Sequence, residues 1–212
     1  MNNRNSIVFL VDDDPSIRKG LGRLLKSAGH TIETFGSAQE FLEADPRCEG
    51  PACLVLDIKM PGLTGLDLHQ EMLKREYAMP IVFITGHGNI PMSVKAMKEG
   101  AVDFLIKPFD EDELLNAVQE ALGKDAGNRK AFNERQSLHQ RIEALTPREY
   151  EVLTYVITGM MNKQIAYALE ISEKTVKVHR GRIMEKLGID SVAELVRLAD
   201  KAGIEPAQVS DP

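Results

Sequence analysis

No stretch of this sequence is apolar for long enough to cross a membrane, and the opening MNNRNS has no hydrophobic segment of the kind a secretion signal needs. The expectation is a cytoplasmic protein that makes no contact with a membrane. Cysteine is almost as scarce, with Cys48 and Cys53 as the two in 212 residues. A lone C-x4-C pair has neither the further ligands of a zinc site nor the density of a disulfide scaffold, so both read as free thiols. A general excess of positive charge is also missing, since the formal net charge is -6. The balance is uneven, however. Residues 1–140 hold 16 Lys and Arg against 21 Asp and Glu, whereas residues 174–186 hold five basic residues and one acid. A local basic segment in an acidic chain points to a focused nucleic-acid contact, not to a polycation.

What is present suggests two domains, because 212 residues with 43% hydrophobic content can build two cores. Apolar runs recur at 6–11, 31–35, 53–57, 80–85 and 102–106, each followed by a helix-like segment, and five such alternations predict a doubly wound α/β domain over residues 1–123. Ser37 to Glu40 reads as a capping box, and Asp110 to Glu113 sets acids in the first turn of a helix. Leu114, Leu115, Val118, Ala121 and Leu122 give that helix its apolar stripe, with Gly123 as its stop. A polar linker follows over 124–141. Leu138, Ile142 and Leu145 make its second half helical, as a spacer or a short dimer seam. A small all-α domain occupies 142–212. It opens at LTPREYEVL, with Thr146 as cap, Pro147 in the first turn and Glu149 completing the box, and breaks at Gly159, Leu169–Ser172 and Gly188–Asp190 divide it into four helices.

The stretch VDDDPS poses the chemical question. The run from Ile7 to Val11 is apolar without interruption, as in a strand covered on both faces, yet Asp12, Asp13 and Asp14 follow it directly. Carboxylates crowded at a strand end repel unless a cation lies between them or one of them is protonated. In a parallel five-strand sheet of flavodoxin-like order 2-1-3-4-5, ligands bind beyond the carboxyl ends of the strands, where the order reverses. There Asp12 and Asp13 meet Asp57 at the end of CLVLD, Thr85 at the end of IVFIT and Lys107 after DFLI. Singly, each has an ordinary reading, and Asp14 before Pro15 is most simply a helix cap. Jointly they form an oxygen cluster of a kind that suits Mg²⁺.

Through VDDD, LVLDIKMPGLTG, ITGHG and FLIKPF, residues 5–122 resemble the receiver domain of two-component response regulators. The resemblance implies that Asp57 is the phosphoacceptor, modified by a sensor histidine kinase. It also implies that Asp13, Asp57 and the backbone carbonyl of Lys59 hold Mg²⁺ directly, with Asp12 acting through water. Lys107 and the metal would neutralise the charge that a transferring phosphoryl group spreads over its oxygens. Thr85 would donate its hydroxyl to the bound group, drawing the following loop inward and letting Phe104 rotate. A Tyr is common at the Phe104 position, so any switch here rests on packing alone. The same resemblance suggests a cis Lys107–Pro108 bond.

The segment NKQIAYALEISEKTVKVHRGRIMEKLG reads as helix, turn, helix. The second helix carries Lys174, Lys177, His179, Arg180, Arg182 and Lys186, expected on its exposed face. A charge run is usually a solvated face, but the basic excess on this scaffold favours double-stranded DNA as the partner. From Leu145 to Ala202 the chain resembles the LuxR-type output domain of the FixJ/NarL group, through LTPREYEVL, NKQIA and TVKVHR. That match implies major-groove entry by Lys177, Val178 and Arg180, and phosphate contacts by Lys174, Arg182 and Lys186. Gly181 departs from the longer or basic residue often found there. The whole implies a phosphorylation-dependent transcriptional regulator in a phosphorelay, an activator with RNA polymerase as a further partner. It would form a homodimer on phosphorylation through Met92, Lys95, Ala96, Glu99 and the Val102–Leu105 region.

Two other classes compete. An aspartate-nucleophile phosphatase of the haloacid dehalogenase type also uses Asp, Mg²⁺ and Lys, but needs a second Asp two residues after the nucleophile, where this chain has Lys59. A turnover enzyme is therefore not expected. A signalling adaptor with a protein-binding helical end is disfavoured by the basic helix.

Overall fold

In a computed structural model, residues 6–75, 77–86, 94 and 96–208 are described. The chain divides into two compact units, residues 1–130 and 131–212. The first alternates β1 (Ile7–Val11), α1 (Pro15–Ser27), β2 (Thr31–Phe35), α2 (Ala38–Ala44), β3 (Ala52–Asp57), α3 (Gly65–Lys74), β4 (Ile81–Thr85), β5 (Asp103–Ile106) and the start of α4 (Glu111–Glu143). Between β4 and β5, residues 94 and 96–98 are helical. All strand pairings are parallel, in the order β2-β1-β3-β4-β5.

The uninterrupted apolar runs follow from burial of both sheet faces. Side chains alternate along a strand, so Phe9, Val11, Leu54, Leu56 and Phe83 enter one core with α2 and α3. Val8, Leu10, Cys53, Val55, Val82 and Ile84 enter a second with Leu25 of α1 and Leu114, Val118 and Ala121 of α4. Strands β1, β3 and β4 lie in the interior of the sheet, which explains their Val, Ile and Leu content; edge strand β2 is largely exposed until Phe35. Phe9, Phe35 and Phe41 pack together with ring centroids 5.2–6.3 Å apart.

Capping residues act as their chemistry requires. Asp14 accepts from the Ser16 and Ile17 amides ahead of Pro15, and the Ser16 amide in particular holds its carboxyl below the usual range. Ser37 accepts from the Glu40 amide, and Thr64 and Asp67 form a reciprocal box at α3.

One expectation fails. The helix expected to end at Gly123 continues through the supposed polar linker to Glu143, 33 residues in all. Neither Gly123 nor Gly127 adopts the left-handed backbone that ends a helix. Most residues that follow are good helix formers, and a fixed contact offsets the cost of two glycines, about 1 kcal/mol each. The Asp125 carboxylate, 3% exposed, accepts from the Ala52 amide of β3 at 2.8 Å and from Arg129 Nε at 2.6 Å, while Arg129 Nη1 donates to the Cys48 carbonyl at 3.0 Å.

The second unit holds the end of α4 and four helices, α5 (Pro147–Val156), α6 (Asn162–Ala168), α7 (Glu173–Leu187) and α8 (Val192–Lys201). Val152, Leu153, Val156, Ile165, Val176, Ile183, Leu187 and Leu195 form its core. The predicted box of Thr146 and Glu149 is present with Pro147 in the first turn, Ser172 caps α7, and Gly188 ends it in the left-handed conformation. Among the described residues no helix is long and apolar enough to cross a membrane.

Candidate functional site: an acid cluster and a basic helix

The parallel sheet brings together side chains 45 or more positions apart. Asp12 follows β1 and Asp57 ends β3, in neighbouring strands, and both are buried, 1% and 4% exposed. Lys107, after β5, reaches back between them: its Nζ is 2.6 Å from Asp12 Oδ2 and 2.9 Å from Asp57 Oδ1. The second Asp12 oxygen accepts from the Asp14 amide at 2.9 Å. Burial pushes the Asp57 carboxyl above the ordinary carboxylate range, against the pull of Lys107. Burial also opposes the Lys107 ammonium, but the two carboxylates outweigh it and raise its pKa above the usual lysine value. Two buried negative charges thus share one cation.

Thr85 is fully buried at the end of β4, and its carbonyl accepts from the Lys107 amide at 2.7 Å, which fixes where the lysine begins. The Lys107–Pro108 bond is cis. Phe104 lies on β5, half-buried against the core that contains Phe83. Asp13 and Lys59 are exposed. Gly65, the last residue of LVLDIKMPGLTG, is required by the site. Its amide donates to the Ile58 carbonyl at 3.0 Å, and a Cβ there would lie 2.3 Å from the Asp57 carbonyl oxygen. The loop after Asp57 folds back so tightly that only glycine fits.

Among the described residues no three Asp, Glu, His or Cys side chains converge as a metal cage. Mg²⁺ does not need one, since it keeps several waters and takes one or two carboxylates. Asp57, exposed Asp13 and the Lys59 carbonyl are hard oxygen donors, and the donor set fits that ion.

On α7, Val176, Ile183 and Leu187 face the core. Lys174, Lys177, Val178, Arg182 and Lys186 are exposed, but His179 and Arg180 are half-buried, contrary to the expectation that all the basic residues share one open face. Helix phase explains it, because Arg180 stands four residues after Val176 and three before Ile183. Its Nη1 donates to Asn162 Oδ1 at 2.9 Å. His179 Nδ1 is buried without a hydrogen-bond partner. Lys186 Nζ lies 2.6 Å from Glu149 Oε2 and donates to the Ala144 carbonyl at 2.9 Å. Lys186, followed by the Thr146 amide, holds the Glu149 carboxyl at about 2. Of the expected dimer surface, Met92 and Lys95 lie outside the described residues and Ala96 is buried, which removes it from any surface. Val94, Met97 and Ile106 are exposed there, a feature that periodicity did not reveal.

A buried acid pair bridged by lysine at the carboxyl edge of a doubly wound sheet, followed by a helix-turn-helix, defines a signal-receiving module joined to a nucleic-acid-binding one. Comparison with known proteins agrees: residues 8–119 match the response regulator receiver domain and residues 143–199 match the bacterial regulatory proteins of the luxR family. The chain belongs to the response regulators that carry a LuxR-type DNA-binding domain, the FixJ/NarL type, and is a transcriptional regulator of that kind. It is 47% identical to nodulation protein W of Bradyrhizobium diazoefficiens, over 94% of this chain and 87% of that one. It is 42% identical to the transcriptional regulatory protein FixJ of Azorhizobium caulinodans, over 97% of each. Among solved structures, response regulator StyR is similar at 50% identity with a TM-score of 0.87, covering 93% of this chain and 99% of that one. Full-length FixJ from B. japonicum is similar at 40% identity with a TM-score of 0.58, over 96% and 99%.

Proposed function

We propose that Asp57 takes a phosphoryl group from a phosphohistidine of a sensor histidine kinase, and that this modification controls DNA binding by the helical unit. A carboxylate oxygen of Asp57 forms the new bond to phosphorus while the bond from phosphorus to the histidine nitrogen breaks, and that nitrogen leaves with the electron pair. The observation that carries this reading is the Asp57–Lys107–Asp12 bridge: a buried carboxylate is held at a strand end by an ammonium 2.9 Å away, poised to stabilise added negative charge. Asp13, Asp57 and the Lys59 carbonyl would hold Mg²⁺, with Asp12 acting through water, and the ion would add positive charge for the phosphoryl oxygens. Thr85 donates to one of them, and Phe104 repacks on β5. The chain turns over no external substrate; loss of its own phosphoryl group is its one hydrolytic step.

The chain divides into a phosphoacceptor domain over 1–123, a helical connector over 124–141 whose residues up to 130 pack with that domain, and a DNA-binding domain over 142–212, and acts in the cytoplasm. Lys177 and Val178 enter the major groove, while Lys174 and Arg182 meet phosphates. Half-buried His179 and ion-paired Lys186 border that face. Phosphorylation favours a homodimer through the surface around Val94, Met97 and Ile106, whose exposed apolar side chains support this. A dimer reads two half-sites about 10 bp apart or a multiple of it, and as an activator recruits RNA polymerase. The test measures adducts by mass spectrometry, mass by light scattering and DNA affinity, with and without acetyl phosphate. The expected result is one adduct at Asp57, a dimer and tighter DNA binding. Absence of the adduct overturns the phosphoacceptor, and tighter binding by a monomer overturns the dimer.

A further inference from the structure

Helix α7 is asymmetric in a way that its charge count hides. Lys174, Lys177, Val178 and Arg182 stand clear of the domain, whereas Arg180 rises from the same side as core residues Val176 and Ile183. Its guanidinium leaves that side by reaching Asn162, the first residue of α6, at 2.9 Å. Arg180 is half-buried and not enclosed, and Asn162 accepts from a single nitrogen of its guanidinium, which leaves further N–H donors on the fork for another partner. In a helix-turn-helix the recognition helix enters the groove while the preceding helix crosses the phosphate backbone. A guanidinium tethered to the preceding helix therefore lies at the edge of the groove and away from the base edges.

The partner that holds it matters as much. Asn162 is neutral, so it fixes the planar fork without cancelling its charge, and the free edge of the fork suits the oxygens of a phosphate. Lys186 shows the contrast: its ammonium is paired with the Glu149 carboxylate, so its charge is already compensated inside the domain.

We propose that Arg180 is a phosphate-holding residue positioned by Asn162, and that base readout falls to Lys177 and Val178. The inference rests on the DNA-binding reading above and divides labour within it. Register on the duplex comes from the Arg180–Asn162 pair, and sequence preference from two side chains one residue apart.

The test uses the full-length chain and duplexes that the wild type recovers from a random pool, beside an unrelated duplex of equal length, across a salt series. Arg180→Ala is expected to weaken both duplexes by the same factor, roughly tenfold. It should lower the slope of log affinity against log salt by about one and still recover the wild-type motif when selection is repeated. Arg180→Lys should restore the slope, and Asn162→Ala should keep slope and motif while losing a smaller factor. Lys177→Ala should instead broaden the motif. A motif that loses one position in Arg180→Ala with the slope unchanged makes Arg180 a base reader and overturns the assignment. An unchanged slope and motif with a lower melting temperature reduces it to helix packing and overturns it equally. If the wild type itself showed no salt-dependent affinity for any duplex, the DNA-binding reading would fall first, and this one with it.

Discussion

The two charged regions of this molecule are built on opposite plans. The acid cluster draws Asp12, Asp57 and Lys107 from the ends of three strands, buries the two acids and pairs both with the one half-buried lysine, through contacts of 2.6 and 2.9 Å. The basic helix draws its residues from a single stretch and leaves Lys174, Lys177 and Arg182 exposed, with no ion pair among the described residues. Buried, paired charges answer a change in one partner with a large local response, whereas exposed charges act through their sum. The first plan suits a switch and the second suits a surface that grips a polyanion.

The largest test of that contrast is Asp57→Asn, which is expected to abolish phosphorylation by acetyl phosphate while leaving the fold intact, as read by intact-protein mass and circular dichroism. Next, Asp13→Ala should weaken Mg²⁺ binding at least tenfold in a titration, while Asp14→Ala, which removes only a helix cap, should leave it nearly unchanged. Equal losses would mean that the third aspartate belongs to the metal site. Gly65→Ala drives a methyl group against the Asp57 carbonyl and should cost about 1–3 kcal/mol in urea denaturation, with slower phosphorylation.

The helical unit contains one pair built on the first plan, and it sharpens the comparison. Glu149→Gln should lower stability at neutral pH by about 1–2 kcal/mol. The Glu149 carboxyl sits at about 2 when folded, below its ordinary value of 4.5, so its contribution is present above 4.5 and is lost as pH falls toward 2. The gap between variant and wild type should therefore close over that range. The smallest expected effect is that of Lys174→Ala: no change in stability beyond about 0.5 kcal/mol, and a salt slope lower by about one.

The same contrast decides what was legible in the sequence. Asp57, Thr85 and Lys107 could be read because each ends or follows an apolar run, and the ends of buried strands are visible as changes in composition. The five strands and the four C-terminal helices were readable for the same reason. Gly65 was not, because its necessity arises from a loop that returns to Asp57, a contact no periodicity encodes. Gly123 misled, since a glycine after an apolar stripe is a standard stop, and it is overridden by the helix formers that follow and by Asp125 reaching the Ala52 amide. In α7, closeness in sequence suggested a common face. Helix phase drew Arg180 inward, and Glu149, 37 positions away, engaged Lys186.

The Asp125–Arg129 contact also says where such a chain can be cut and rejoined. Both residues fall in the interval between the two matched family segments, 8–119 and 143–199, where a designer of chimeric sensors would place a junction freely. A splice at Gly123 would strip the donor's long helix of the carboxylate that fastens it to the first residue of β3, the strand whose far end carries Asp57. A splice after Lys130 keeps that fastening with the module that evolved it. Portability in this architecture therefore belongs to the first 130 residues, about ten more than the sequence match to the receiver domain would suggest.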